Sequence, residues 1–350
     1  MYILGIETSC DDTAAAVIEA KGGLNNPSFS VLSNISYSQV AIHKKFGGIV
    51  PNLASRAHLE KIAPTVKTAL LMSDINNEDI DLIATTRGPG LMPSLLIGVN
   101  FARAIAYSWK KPIIGVNHIE GHIYSNWLIN KKIEFPALIL IVSGGHTELV
   151  LMRNHDKYKI IGETLDDAAG ECFDKTARIL GLSYPGGPAI ATEASKYKIQ
   201  NTKYKIDLPR PMINSKDYNF SFSGLKTAVL YSYKGKNKSA MAYEIQEAIV
   251  DVLIAKTLKA VRNFNPKSVM IAGGVSANEK LREKMAEKIA SYKIPLFVPD
   301  LSYTTDNAAM IAAAGYFSAI GGSTVGGNYL KKKTQKDSWK KTKADANLRL

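Results

Sequence analysis

Two periodicities of apolar and polar positions take turns along this chain. Tyr2 to Ile6 is a short apolar run, the next residues from Glu7 are polar, and Ala14 to Glu19 is apolar again, which reads as strand, polar turn, strand. The plan returns at Ala137 to Val142, with Ser143-Gly-Gly-His-Thr147 as the turn and Glu148 to Met152 as the return strand. Between these hairpins, Ser55 to Met72 places Leu59, Ile62, Ala63, Val66, Ala69 and Leu70 at helical spacing. Ile80 to Thr85 then predicts a strand, Gly88 to Gly90 a loop, and Leu91 to Tyr107 a mostly buried helix. Ile113 to Val116 is a further strand, followed directly by a helix beginning near His118. In the second half, helices are expected over Asp166 to Leu180, Ala240 to Asn263 and Asn278 to Tyr292, strands at Ser268 to Ala272 and Phe297-Val298, and an alanine-rich helix over Asp306 to Ile320.

Strands alternating with helices predict mainly parallel sheets with helices on their faces, and two equivalent hairpins predict a duplicated α/β lobe. The expected organisation is a first lobe over residues 1–130, completed by the 306–320 helix, a second lobe over 131–305, and a basic, flexible tail over 321–350. A length of 350 residues suits two lobes of ordinary size. With 46% hydrophobic and 21% charged residues the composition is globular, which excludes a largely disordered chain.

The longest apolar stretches are interrupted, one by Asn100 and Arg103 and the other by the turn at Ser143, so neither supplies the roughly 18 residues of a membrane span. No basic segment precedes the first strand, so no signal peptide is expected, and Cys10 and Cys172 alone cannot build a disulfide framework. These features point to a soluble cytoplasmic protein without membrane contact. The formal charge is +13, of which the last 20 residues carry +6. A basic field of this size favours a polyanionic partner such as nucleic acid, although lysine also serves plain solubility.

The clearest chemistry lies in Asn117-His-Ile-Glu-Gly-His122. Four residues apart on a helix, His118 and His122 share a face, which is metal-ligand spacing. Glu120 falls on the opposite side, so this H-x-E-x-H order lacks the general base of the H-E-x-x-H zinc peptidases. Asp306, at the start of the last helix, offers a third ligand, although an N-cap is the commoner job for an aspartate in that position. Two histidines and one carboxylate suit iron(II) or zinc. Four glycine-bearing loops, at 143–145, 185–188, 221–226 and 273–278, could bring backbone N–H groups to a phosphate, or could simply be turns. No P-loop and no dinucleotide fingerprint occurs. Asp167, Glu171 and Asp174 form an acidic stripe beside Lys175 and Arg178, and both cysteines read as bystanders.

Taken in order, GIETSCDDT, GGIVPNLASRAH, GPGLMPSLLIG, NHIEGH, LIVSGGHTELV, GETLDDAAGECFDKTARILGLSYPGGP, FSFSGLKT, AGGVSANEKLR and TDNAAMIA resemble the universal tRNA threonylcarbamoyladenosine transferase family, whose bacterial members (TsaD) were once described as O-sialoglycoprotein endopeptidases. The resemblance covers about residues 1 to 320. It implies an ASKHA fold, the actin, Hsp70 and sugar-kinase architecture of two duplicated α/β lobes around a central cleft. It implies transfer of a threonylcarbamoyl group from threonylcarbamoyl-AMP to N6 of adenosine 37 in tRNAs reading ANN codons. By the same resemblance His118, His122 and Asp306 hold a divalent metal, Fe(II) or else Zn. Ile141, Val142, Ser143, Gly144 and Gly145, with Asp174, Gly187 and Asn278, would contact the adenylate, and Asp11 would aid catalysis. The implied partners are a TsaB-like paralogue, a TsaE-like ATPase and a TsaC-type synthase that supplies the adenylate. Three departures stand out: a long hairpin from Lys21 to Asn34, Arg87 before the GPG loop, and the lysine-rich ending. An inert scaffold would lack the histidine pair, and a peptidase would need a base that H-x-E-x-H does not supply.

Overall fold

The computed structural model describes residues 1–129, 132–200, 206–321 and 337–350, the side chains of 198–200 excepted. The chain divides into two compact units. Unit 1 comprises Met1–Ile133, Asn154–Tyr158 and Pro299–Leu350, and unit 2 comprises Glu134–Arg153 and Lys159–Val298.

Unit 1 is built on β1 (Tyr2–Glu7), β2 (Asp12–Lys21), β3 (Ser28–Ser38), β4 (Leu82–Gly88) and β5 (Ile113–Asn117), in the order β3-β2-β1-β4-β5. The hairpin pairs run antiparallel, from Tyr2 opposite Glu19 to Glu7 opposite Ala14, whereas β1, β4 and β5 run parallel. The long Lys21–Asn34 segment is the tip of β2, a turn, and most of β3. The helices are α1 (Val40–His43), α2 (Pro51–Ser73), α3 (Met92–Trp109) and α4 (His118–Tyr124). Both long helices carry proline in the first turn, where its missing N–H has no helical partner to lose, and both end on a left-handed residue, Asp74 and Lys110. Their apolar faces, with Ile62, Val66 and Ala102, meet Leu4, Ile6, Val17 and Ile83 from the sheet.

Unit 2 repeats the strand order with β6 (Ala137–Val142), β7 (Thr147–Asn154), β8 (Lys157–Glu163), β9 (Ser268–Ala272) and β10 (Leu296–Phe297), as β8-β7-β6-β9-β10. Again the β6–β7 pair is antiparallel while β6, β9 and β10 run parallel. Its helices are α5 (Ala169–Ile179), α6 (Gly186–Gln200), α7 (Ser223–Ser232), α8 (Lys238–Phe264) and α9 (Glu279–Ala290). Leu138, Leu140, Phe173, Ile190, Ile249, Leu253, Val269 and Ile271 belong to one continuous core. α5 starts at Ala169 rather than Asp166 because the two aspartates are engaged elsewhere. Asp166 accepts hydrogen bonds from the hydroxyls of Ser221 and Ser223 (both 2.6 Å) and from the N–H groups of Phe222 (2.7 Å) and Ser223 (3.2 Å). Asp167 pairs with Lys175 at 2.7 Å.

The chain returns to unit 1 with α10 (Ala308–Gly321) and, later, the short α11 (Ser338–Lys341). The alanine-rich composition of α10 reflects contact distance: a Cβ on Gly5 would lie 2.1 Å from the Ala308 carbonyl oxygen, so the helix touches β1 backbone to backbone. The expectation of a flexible tail over 321–350 is corrected for residues 337–350, which dock on unit 1; residues 322–336 lie outside the described residues. Arg103 donates to the Trp339 carbonyl (2.7 Å), the Ile113 N–H donates to Ser338 Oγ (3.1 Å), and the Asp345 N–H donates to the Arg87 carbonyl (2.7 Å). The lysine count that suggested solvation concealed Ser338, Trp339 and Thr342, which supply the contact. No helix among the described residues is long and apolar enough to cross a membrane.

Candidate metal centre and glycine-loop site

β5 ends in Asn117, whose side-chain oxygen caps α4 by accepting the Ile119 N–H at 2.8 Å. The helix therefore starts at His118 and turns both imidazoles to one side, with ring centroids 4.7 Å apart and the rings edge to face. Asp306 completes the group. Its Oδ1 lies 3.4 Å from His118 Nε2 and 3.3 Å from His122 Nε2, and one ligand atom from each residue falls within 4.8 Å of the others. The choice between N-cap and ligand, open in the sequence, is resolved one residue on: Asn307 Oδ1 accepts the Met310 N–H (2.9 Å), so Asn307 caps α10 and Asp306 is released.

Behind His118 stands a residue that sequence reasoning missed. Glu7 is fully buried at the end of β1. Its carboxylate accepts from Thr86 Oγ1 (2.6 Å) and from the Ser9 N–H, and Oε2 lies 3.0 Å from His118 Nδ1. Ser9 Oγ reaches the same ring nitrogen at 3.1 Å. A buried carboxylate on the far nitrogen of an imidazole fixes its tautomer and aims Nε2, the usual support of a metal-bound histidine. A glutamate closing the otherwise apolar run YILGIE was the available signal, since a buried charge requires a partner.

Electrostatics and hydrogen bonding both fit a cation here. Burial opposes charge on His118, but Asp306 and Glu7 outweigh it and hold the imidazole well above its usual range. Burial would raise Asp306 and Glu7, yet the facing imidazole holds both carboxyls low. Burial keeps His122 below its ordinary value, hence neutral, and neither of its buried ring nitrogens makes a hydrogen bond among the described residues. An orphaned buried group of this kind costs about 1–3 kcal/mol, which a cation accepting its lone pair would remove. The cluster could hold a metal ion. Glu120 is outside it, and its carboxyl is pushed up to about 7, chiefly by burial and then by Asp156.

Unit 2 places the other expected residues. Ile141 and Val142 close β6, and the turn that follows is held by Ser143, whose N–H donates to the His146 carbonyl (2.8 Å) and whose hydroxyl accepts the His146 N–H (3.1 Å). Gly144 and Gly145 are exposed, and a Cβ on either would meet no described atom within 4 Å. Asp174 accepts the Gly186 N–H (2.6 Å) at the start of α6, and burial raises its carboxyl. Gly187 beside it is likewise open. Asn278 caps α9 by accepting the Leu281 N–H (3.0 Å) and donates to Gln246 (3.1 Å). Thus Asp174 and Asn278 shape two helix starts, and the glycines leave backbone exposed.

In unit 1, Asp11 sits in the β1–β2 turn with its carbonyl accepting the Gln39 N–H at 3.0 Å. Its neighbour Asp12 has a carboxyl pushed up to about 7 by burial, Asp306 and Asp11. Both thiols are pushed up, chiefly by burial, so neither Cys10 nor Cys172 is activated.

Solved structures define the class. Component A of (R)-2-hydroxyglutaryl-CoA dehydratase from Acidaminococcus fermentans matches with a TM-score of 0.51 at 15% identity, over 90% of this chain and 97% of that one. HypF from T. kodakarensis matches with a TM-score of 0.56 at 15% identity, over 97% of this chain and 50% of that one. At such identities the likeness concerns the fold, which is ASKHA-like, as the repeated strand order implies. Sequence likeness is far closer. The family described as "TsaD: tRNA N6-adenosine threonylcarbamoyltransferase" matches residues 30–313. Proteins called tRNA N6-adenosine threonylcarbamoyltransferase are 49% identical over 331 residues in Caldicellulosiruptor saccharolyticus (93% of this chain, 95% of that one) and 48% over 323 residues in Bacillus subtilis (90% of each). The chain belongs to the tRNA N6-adenosine threonylcarbamoyltransferase family.

Proposed function

We propose that this chain performs the reaction for which its family is named, as a step of t6A biosynthesis: transfer of the threonylcarbamoyl group from threonylcarbamoyl-AMP to N6 of adenosine 37 in tRNAs reading ANN codons. The observation that carries the reading, beside family membership, is the convergence of His118, His122 and Asp306 around an unsatisfied buried imidazole. These residues hold a divalent metal, Fe(II) by preference over Zn, and Glu7 orients His118. When bound, the metal supplies Lewis acidity to a coordinated carbonyl.

The chain's own groups do the rest. The open backbone at Gly144, Gly145 and Gly187, with Ile141, Val142 and Ser143 leading into the turn and with Asp174 and Asn278, binds the adenylate, and the loop N–H groups stabilise the phosphate as it departs. In the transfer, N6 of adenosine forms a bond to the carbamoyl carbon, the bond from that carbon to the phosphate oxygen breaks, and AMP leaves. The amine proton passes to Asp11. No nucleophilic serine or cysteine is needed, in accord with the raised thiols. The net charge of +13 favours the tRNA. A TsaB-like paralogue, a TsaE-like ATPase and a TsaC-type synthase work with it, in the cytoplasm.

Labelled threonine incorporation into an ANN-decoding tRNA transcript tests this, with ATP, bicarbonate, the synthase and cognate partners present. Incorporation should require this chain and adenosine at position 37. His118→Ala with His122→Ala should lower it by about 10³-fold, the equivalent of several kcal/mol of lost carbonyl polarisation. Incorporation indifferent to both histidines would remove the metal role, and none at all, with partners shown active, would remove the transferase.

A further inference from the structure

Two departures of this chain from its family's pattern, Arg87 and the lysine-rich ending, meet in the structure. α11 seats Trp339 edge to face on Tyr107 of α3, with ring centroids 5.1 Å apart, and buries Ser338 against β5. The backbone then runs over the loop after β4. The Asp345 N–H donates to the Arg87 carbonyl (2.7 Å), and the Gly90 N–H donates to the Ala346 carbonyl (3.3 Å). A Cβ on Gly88 would lie 1.8 Å from the Asp345 carbonyl oxygen, so only glycine lets the segment settle there.

The other side of the same loop faces Ser9. A Cβ on Gly90 would lie 2.6 Å from the Ser9 carbonyl oxygen, and the Leu91 N–H donates to that oxygen at 2.8 Å. Ser9 Oγ is 3.1 Å from His118 Nδ1, and the Ser9 N–H holds the Glu7 carboxylate that also faces this nitrogen. Docked segment, glycine loop, Ser9 and imidazole are therefore four groups in direct succession, all within unit 1.

We propose that residues 337–350 form a strap that positions the metal-binding imidazole of His118 through the loop at Gly88 to Gly90 and through Ser9. The proposal rests on the reading of His118, His122 and Asp306 as a metal centre. The strap's backbone groups hold the loop from outside, and the loop in turn fixes the Ser9 carbonyl, leaving its hydroxyl and N–H aimed at His118 and Glu7. Without the strap, Arg87 and Gly90 lose their outer support, Ser9 gains freedom, and the Nδ1 side of His118 is held by Glu7 alone. The strap is a positioning element and touches no ligand of the metal.

The test measures Co(II) and Zn(II) affinity by chelator competition, together with exchange of the Leu91 amide. Full-length chain is compared with a chain ending at residue 336 and with full-length Ser338→Ala/Trp339→Ala. Both variants should bind metal about 10–100-fold more weakly, the usual cost of losing support behind a ligand, and should exchange the Leu91 amide faster. Ser9→Ala should give a similar loss, and adding the truncation to it should cost little more, because both act through one path. A synthetic peptide of residues 337–350 should restore affinity to the truncated chain. Folded variants that bind metal as tightly as the full chain overturn the strap alone. A wild-type chain that binds neither ion overturns the metal reading first, and the strap with it. Should the truncated chain fail to fold, the double point variant decides.

Discussion

Unit 1 and unit 2 share one strand order and open with the same antiparallel hairpin, but their first turns are filled in opposite ways. From the end of β1 into the turn the chain is crowded with side chains: Glu7 and Ser9 converge on an imidazole and Asp11 follows. After β6 it is bare, with Ser143 tying its ends and Gly144 and Gly145 left open. The strands that carry the turns are equally buried, so the scaffold does not force the difference. One duplicated frame thus carries polar side chains that face an imidazole in one copy and open backbone in the other, and the two copies differ in their turns rather than in their fold.

The largest effect expected from this contrast comes from filling the bare turn. Gly144→Val or Gly145→Val meets open space, so the fold should survive, while the added branch blocks close approach to the backbone. The KM for the adenylate should rise by about 10²-fold, with metal affinity unchanged. Equal losses in both would break the division of labour between the turns.

Acid should separate the units next. His155 stacks on Phe317 with centroids 4.5 Å apart, and burial lowers its pKa from 6.5 to about 4. The unfolded chain takes up a proton as pH falls through 6.5, whereas the folded chain resists until about 4. Stability is therefore fully present above about 6.5 and lost as pH falls towards 4, by about 3 kcal/mol. Trp109, Trp127 and Trp339 all lie in unit 1, so tryptophan fluorescence during urea unfolding reports that unit. Its midpoint should drop on acidification in the wild type and drop less in His155→Phe. Identical pH dependence in the two chains would show that His155 is not the cause.

The smallest effect sharpens the crowded turn. Glu7→Gln keeps the size of the side chain and removes its charge, so metal affinity should fall about tenfold while adenylate affinity stays within twofold. An unchanged metal affinity would leave Ser9 as the group that matters to His118.

Much of this was legible in the chain, for reasons tied to particular residues. The β1–β2 and β6–β7 hairpins follow from apolar runs broken by polar or glycine turns, and α2, α3 and α9 from apolar residues at helical spacing. β3, β8, α6 and α7 were not expected, because mixed polar segments such as SFSVLSNISYS and GGPAIATEASKYKIQ carry weak periodicity and are fixed by what they pack on. Asp166 looks like the first acid of a helix, yet its carboxylate gathers four hydrogen bonds from a segment far along the chain.

The sequence by itself determined the class of fold, the family, and the residue types at the candidate metal centre, because hydrophobic period and motif order are local properties. Only the tertiary structure decided that Asn307 rather than Asp306 caps α10, which frees for the histidines the carboxylate that the family resemblance had named, that Glu7 stands behind His118, and that residues 337–350 dock instead of fraying. Each of these is a contact between segments remote in the chain, set by burial and by the need to satisfy buried polar groups, and no local pattern encodes which partner will supply them.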